Sequence, residues 1–168
     1  MLRKICKILN NIIIAILIVL VLVMFAPRLF GWQNLAVLSG SMEPNISVGS
    51  MVIIKDVNPE ELETGDVITF RVSDSTLVTH RVVENNVETQ EITTKGDAND
   101  VNDGNPVSYS NVIGELFISI PLLGYLSIYM QSTLGIAILC GVVFVLLLLN
   151  YLPDLFEKEQ NNEIKSQK

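Results

Sequence analysis

Between residues 33 and 118 the chain has no cysteine, a single histidine and only four basic residues, Lys55, Arg71, Arg81 and Lys95. The missing cysteines exclude a disulfide framework for this stretch. Cys6 and Cys140 lie in or beside the apolar ends of the chain, and no Cys-x-x-Cys or Cys/His spacing offers a zinc site. Fourteen acidic residues face the four basic ones in the same stretch, and the whole chain carries a formal charge of −7. No basic patch can neutralise phosphates, so nucleic acid is excluded as a partner. No internal repeat and no low-complexity linker interrupts the 168 residues. One domain of ordinary size is expected, and no cofactor or metal.

Long apolar runs are present, and both lie at the ends. Arg3, Lys4 and Lys7 precede a run from Ile12 to Ala26, extended by Ile8, Leu9, Leu29, Phe30 and Trp32. About 20 apolar residues are needed to cross a bilayer. A cleaved signal peptide would share the basic start and apolar centre. No Ala-x-Ala follows at the expected distance, and Pro27 and Arg28 end the run abruptly. Residues 1–32 are therefore expected to be a cytoplasmic N-terminus and an uncleaved anchor, with Trp32 at the interface. Residues 134–152 are almost pure Ile, Leu, Val, Phe, Ala and Gly without a charge, and are expected to form a second transmembrane helix. Residues 119–133, with Pro121, Gly124, Tyr125 and Tyr129, read as an interfacial segment. The charged tail 153–168 reads as cytoplasmic.

The middle, 33–118, has a β pattern. Strands are expected at Met51–Ile54, Val67–Val72, Leu77–Glu84, Val87–Thr94 and Val112–Ile118. Gly65-Asp66 and Ser73–Thr76 are turn signals, and Asn85-Asn86 reads as a two-residue hairpin turn. Pro59 to Leu62 allows one short helical turn. The expected fold is mostly β: a small antiparallel domain flanked by two transmembrane helices.

Few residues in that domain can do chemistry. Ser39-Gly40-Ser41-Met42-Glu43-Pro44 follows a small apolar run, Leu35 to Leu38. Pro44 fixes its own φ and biases Glu43 away from helix, so the turn is stiff and presents a hydroxyl. Ser-Gly-Ser alone is more often a plain turn than a nucleophile. His80 lies mid-strand, and period-two alternation puts it on one face with Val78 and Val82. A core histidine is the ordinary reading of that pattern, yet imidazole is also the base suited to a serine hydroxyl near neutral pH. The loop from Lys95 to Gly104 offers Asp97, Asp100 and Asp103. It fails as a calcium loop, because Val101 and Asn102 stand where a ligand and a glycine are required. Serine, histidine and aspartate are the parts of an activated nucleophile. Asp97, next to a strand end, has the better-defined backbone; Asp103, at the far end of the loop, has more freedom. Asn45-Ile46-Ser47 matches a glycosylation sequon, but a glycan there would obstruct the site, and the match is taken as chance.

Together, Ser39 to Pro44, Thr79-His80-Arg81-Val82, Lys95-Gly96-Asp97 with Asp103 six residues on, and Asn111-Val112-Ile113-Gly114-Glu115 resemble type I signal peptidases. The likeness is to their Ser-His branch, and it covers residues 37 to about 125 with the motifs in the right order. The domain's only lysines, Lys55 and Lys95, lie outside the base motif. Ala98 stands where relatives often read Asn. The resemblance implies Ser41 as nucleophile, His80 as general base, Asp103 as the third member and Asp97 as its support. The amide of Ser41 and the Ser39 hydroxyl would hold the oxyanion.

The implied activity is removal of N-terminal signal peptides from secretory precursors, at a multi-pass site in the cell membrane with the catalytic domain outside. The implied partners are those precursors and the lipid bilayer. One rival is a membrane-anchored β-domain that is catalytically idle, a scaffold or pseudo-protease, which needs three motifs to be unused together. Self-cleaving repressors that use serine and lysine share the β-fold, but the apolar ends and the lack of DNA-binding helices argue against them.

Overall fold

The computed structural model describes residues 2–130 and 132–148. The chain divides into two compact units. One is Met24–Ile128; the other is built from the flanking ends, with described residues 2–23, 129–130 and 132–148.

The first helix, α1 (Leu2–Leu29), includes a segment, Lys7–Leu29, long and apolar enough to cross a membrane. Pro27 is tolerated within its last turn rather than stopping it there. Gly31, at φ +78°, closes the helix with its N–H on the Arg28 carbonyl, 3.2 Å. Among the described residues this is the one helix that meets the length and hydropathy of a span by itself. The second expected span is helical over Thr133–Leu148, about 24 Å at 1.5 Å per residue. Residues 149–152 and the tail 153–168 lie outside the described residues. In this unit Asn10 Nδ2 donates to the Leu146 carbonyl at 3.1 Å. Such a polar bond between apolar helices is a common association device in lipid.

The Met24–Ile128 unit is a seven-stranded antiparallel sheet, so the mostly β expectation holds. Its strands are β1 (Gln33–Ala36), β2 (Met51–Lys55), β3 (Val67–Ser73), β4 (Thr76–Asn86), β5 (Glu91–Lys95), β6 (Val107–Ser108) and β7 (Val112–Ile120), in the order β1-β2-β7-β3-β4-β5-β6. A short helix, α2 (Leu123–Met130), follows β7. The β-branched runs expected as strands give β2, β3 and β7. The short helical turn falls at Pro59–Glu61.

Two clusters form the core. Leu62, Ile68, Phe70, Val82, Ile92 and Val107 make one; Met42, Ile46, Val52, Ile54 and Val67 make the other. Consecutive residues of β3 alternate between opposite faces, so Val67 enters one cluster and Ile68 and Phe70 the other. That is why Val67 to Phe70 are all buried. Asn34 ties the edge strand β1 to the helix before it, donating Nδ2 to the Met24 carbonyl at 2.5 Å.

One turn lies elsewhere than expected. Asn85 and Asn86 belong to β4, and the chain reverses at residues 87–90, with Gln90 at φ 55°. Asn85 is held by distant groups: its Nδ2 donates to the carbonyls of Pro59 and Leu62, both at 2.9 Å, and its Oδ1 accepts from Tyr109 at 2.6 Å. Asn86 starts the turn instead, its Oδ1 accepting from the amides of Glu88 and Thr89. The return strand therefore begins at Glu91 rather than Val87.

Candidate active site

The turn carrying Ser41 leaves the end of β1. The ladder to β2 continues one step further, Val37 N–H to the Ser50 carbonyl at 2.9 Å. The chain then folds back, with Glu43 N–H on the Gly40 carbonyl and Ile46 N–H on Met42. Met42 and Ile46 are buried in the core and anchor the turn, while Ser41, just before Met42, is half-exposed. Ser39 Oγ lies 3.4 Å from Ser41 Oγ.

His80 comes from the middle of β4, opposite Ile68 in β3. It is 8% exposed and shares its apolar face with Val82 and the half-buried Val78. The Phe70 ring meets the imidazole edge-on, with centroids 6.3 Å apart. His80 Nδ1 lies 2.6 Å from Asp103 Oδ2. A carboxylate can only accept, so Nδ1 is the donor in this pair, and in the neutral ring Nε2 is then the acceptor.

Asp97 goes elsewhere. Arg81, next to His80 but on the other face of β4, donates Nε to Asp97 Oδ1 at 2.8 Å and Nη2 to Oδ2 at 2.7 Å. Asn45 Nδ2 donates to Oδ2 at 2.8 Å. The hydrogen bonds from Arg81 hold the Asp97 carboxyl below the usual carboxylate range, against the burial that would raise it; Asn45 adds to the lowering. Arg81 is correspondingly raised, first by the same hydrogen bonds. Asp97 therefore links the Ser41 turn, through Asn45, to the strand that carries His80, through Arg81.

The third connection runs through Gly96. A Cβ placed there would lie 2.6 Å from the Ser41 carbonyl oxygen and 3.1 Å from His80 Nε2. The absent side chain is what lets the Ser41 turn and the imidazole approach the same point. The Ser41 carbonyl itself accepts from Ala98 N–H at 2.9 Å. No hydrogen bond joins Ser41 to His80 among the described residues; Ser39 is the hydroxyl neighbour of Ser41.

A cleft of about 370 Å³ opens beside Ser41. Leu35 to Ser39 line one side and Thr76 to Thr79 the other. One wall runs from the end of β1 into the turn and the other is β4, and each strand has an unpaired backbone edge among the described residues: β1 pairs only with β2, and β4 pairs with β5 only from Arg81 onward. No group of three or more His, Cys, Asp or Glu side chains is arranged to hold a metal among the described residues.

Arg81 and Gly96 stand inside the sequence motifs without having been singled out for a role. Asn45 figured only as a chance sequon, and its Nδ2, the atom a glycan would take, is spent on Asp97. Thr94, whose hydroxyl donates to Asp103 Oδ2 at 2.6 Å, gave no sequence signal beyond its place in a strand.

A family model described as signal peptidase, peptidase S26, matches residues 9–116. Signal peptidase I W of Bacillus subtilis is 41% identical over 120 residues, which cover 66% of this chain and 63% of that protein. The signal peptidase complex catalytic subunit SEC11 of Lodderomyces elongisporus is 32% identical over 130 residues, 64% of this chain and 78% of that one. The SEC11 of Zygosaccharomyces rouxii is 32% identical over 108 residues, 57% and 64% respectively. The chain thus spans less than two thirds of the length of the Bacillus relative.

Proposed function

The chain belongs to the signal peptidase family, peptidase S26, and on that premise we propose that it is a membrane-anchored serine endopeptidase that cuts N-terminal signal peptides from secretory precursors. The observation that carries the reading is the 2.6 Å contact between His80 Nδ1 and Asp103 Oδ2. It leaves Nε2 as an acceptor beside the point where the Ser41 turn passes Gly96.

In this reading Ser41 Oγ attacks the carbonyl before the cleavage site. His80 Nε2 takes the hydroxyl proton and later returns it to the leaving amine, while Asp103 keeps the ring in its working tautomer. Loose contacts between nucleophile and base are ordinary before substrate arrives. The amide of Ser41 and the Ser39 hydroxyl stabilise the oxyanion. Asp97 supports the site through Arg81 and Asn45. A substrate backbone lies extended in the cleft between the free edges of β1 and β4, which suits recognition of small side chains at the −1 and −3 positions.

The anchor keeps this chemistry at the membrane. Arg3, Lys4 and Lys7 hold the N-terminus of α1 in the cytoplasm, and the sheet unit lies on the extracytoplasmic side of the cell membrane. Residues 134–152 cross back, and the tail 153–168 is cytoplasmic. Trp32, whose ring lies 4.7 Å from that of Phe117, marks the interface.

The test is incubation of the detergent-solubilised full chain with a secretory precursor, wild type beside Ser41→Ala. The wild type releases a mature fragment cut after a small residue. Equal cutting by Ser41→Ala would sink the proposal.

A further inference from the structure

Asp103 sits in the loop between β5 and β6, and its side chain is 23% exposed. A loop aspartate has several rotamers available, and something must select the one that meets His80. Both constraints come from one residue. Asp103 N–H donates to the Thr94 carbonyl at 2.8 Å, and Thr94 Oγ1 donates to Asp103 Oδ2 at 2.6 Å. That oxygen is the same one that faces His80 Nδ1.

The placement of Thr94 follows from strand geometry. In β5 it pairs with Val82 of β4, and side chains two apart share a face. Ile92, Thr94 and Gly96 therefore follow one another on the face that carries Val82 and His80. Ile92 fills the core, Thr94 reaches Asp103, and Gly96 leaves room for His80 and Ser41. Thr94 is fully buried, so no water competes for its single O–H. An ionised carboxylate offers only acceptor sites, and Oδ2 here receives two donors.

We propose that Thr94 is a positioning residue: its buried hydroxyl locks the Asp103 carboxylate, and through it the plane and tautomer of the His80 ring. This rests on the Ser-His-Asp reading above and adds a fourth member that never touches substrate. A hydroxyl that merely satisfies itself in a buried strand would leave the imidazole unaffected when removed.

The test uses the full chain in detergent micelles with ¹⁵N-labelled histidine. His80 is the one histidine in the sequence, so every ring signal belongs to it. Thr94→Val keeps the shape and suits a buried strand; Thr94→Ser keeps the hydroxyl. Wild type and Thr94→Ser are expected to show a downfield, slowly exchanging Nδ1 proton, and Thr94→Val to lose it. Cleavage of a signal-bearing peptide should show kcat lowered roughly tenfold to a hundredfold in Thr94→Val, with KM little changed and Thr94→Ser close to wild type. In an Asp103→Asn background the same Val substitution should cost little more, since both changes disable one relay. An unchanged Nδ1 signal in folded Thr94→Val, or a full additive loss in the Asp103→Asn background, overturns the proposal. Cleavage that persists in Ser41→Ala would instead refute the protease reading, while the Nδ1 signal still decides whether Thr94 holds the ring.

Discussion

Arg81 grips Asp97 with two hydrogen bonds, Nε to Oδ1 at 2.8 Å and Nη2 to Oδ2 at 2.7 Å. The planar guanidinium fork matches a carboxylate better than a single imidazole N–H does. The aspartate nearer the strand is thereby taken by the residue after the histidine, and the farther one, Asp103, meets His80. The two carboxylates of one loop have separate tasks: one ties the turn to the strand, the other faces the imidazole.

The Asp97 tie should appear as acid sensitivity. The carboxyl is lowered by Arg81, with Asn45 assisting. A depressed folded-state pKa stabilises the fold above the unfolded carboxylate value, about 3.9, and that stability is lost as pH falls through the folded value. Asp97→Asn should therefore melt below wild type near pH 7, and the gap should close below about pH 4. Melting curves of both proteins across that range check it. A gap that is constant with pH would mean that the charge of Asp97 contributes nothing to the fold.

The division of labour predicts different kinetic phenotypes. Asp103→Asn should lower kcat by roughly 10⁴ without unfolding the domain, because the amide favours the wrong histidine tautomer. Asp97→Asn should mainly lower the thermal midpoint, with turnover of the folded fraction much closer to wild type. Measuring kcat and thermal midpoint for both variants separates the roles. Normal turnover in Asp103→Asn with collapse in Asp97→Asn would reverse the assignment. Normal turnover in both would leave a Ser-His dyad.

Strands whose burial is set by their own β-branched residues were legible in the sequence: β2, β3 and β7. The face of His80 was legible too, because alternation with Val78 and Val82 is a local property. Asn85-Asn86 was not, because its fate is decided by Pro59, Leu62 and Tyr109, more than twenty positions away. The two-residue β6 is too short to carry a pattern. Motifs brought Ser41, His80, Asp97 and Asp103 to notice, and the family resemblance put Asp103 ahead as the partner of His80; backbone placement alone favoured Asp97 and named no partner for it. The partner of Asp97 depends on side chains meeting across strands, as the links through Thr94 and Asn45 do.

Orientation in the bilayer is open to a direct check. The proposed orientation puts Arg3, Lys4 and Lys7 in the cytoplasm, and on it a protease added to intact, wall-stripped cells should digest the sheet unit and spare a tag at the C-terminus. Digestion of the tag would remove the second crossing proposed for residues 134–152.

Gly96 offers the sharpest steric test. A methyl group there would sit 2.6 Å from the Ser41 carbonyl oxygen, 2.8 Å from Asn99 Nδ2 and 3.1 Å from His80 Nε2. Asn99 is a side chain and can swing away. The Ser41 carbonyl is backbone and is held by Ala98 N–H at 2.9 Å, so relief must come from moving the Ser41 turn or the imidazole. Either shift separates the two groups that exchange a proton in the proposed mechanism, and a displacement of about 1 Å costs on the order of a hundredfold in rate. Gly96→Ala should therefore lose kcat by at least that factor while keeping its sheet, read by circular dichroism. Gly104, at the other end of the loop, has nothing within 4 Å of its Cβ position. Gly104→Ala should stay within about 0.5 kcal/mol of wild type in stability and cut normally. If Gly96→Ala cuts as fast as Gly104→Ala, the close approach of Ser41 and His80 at this glycine has no part in the reaction.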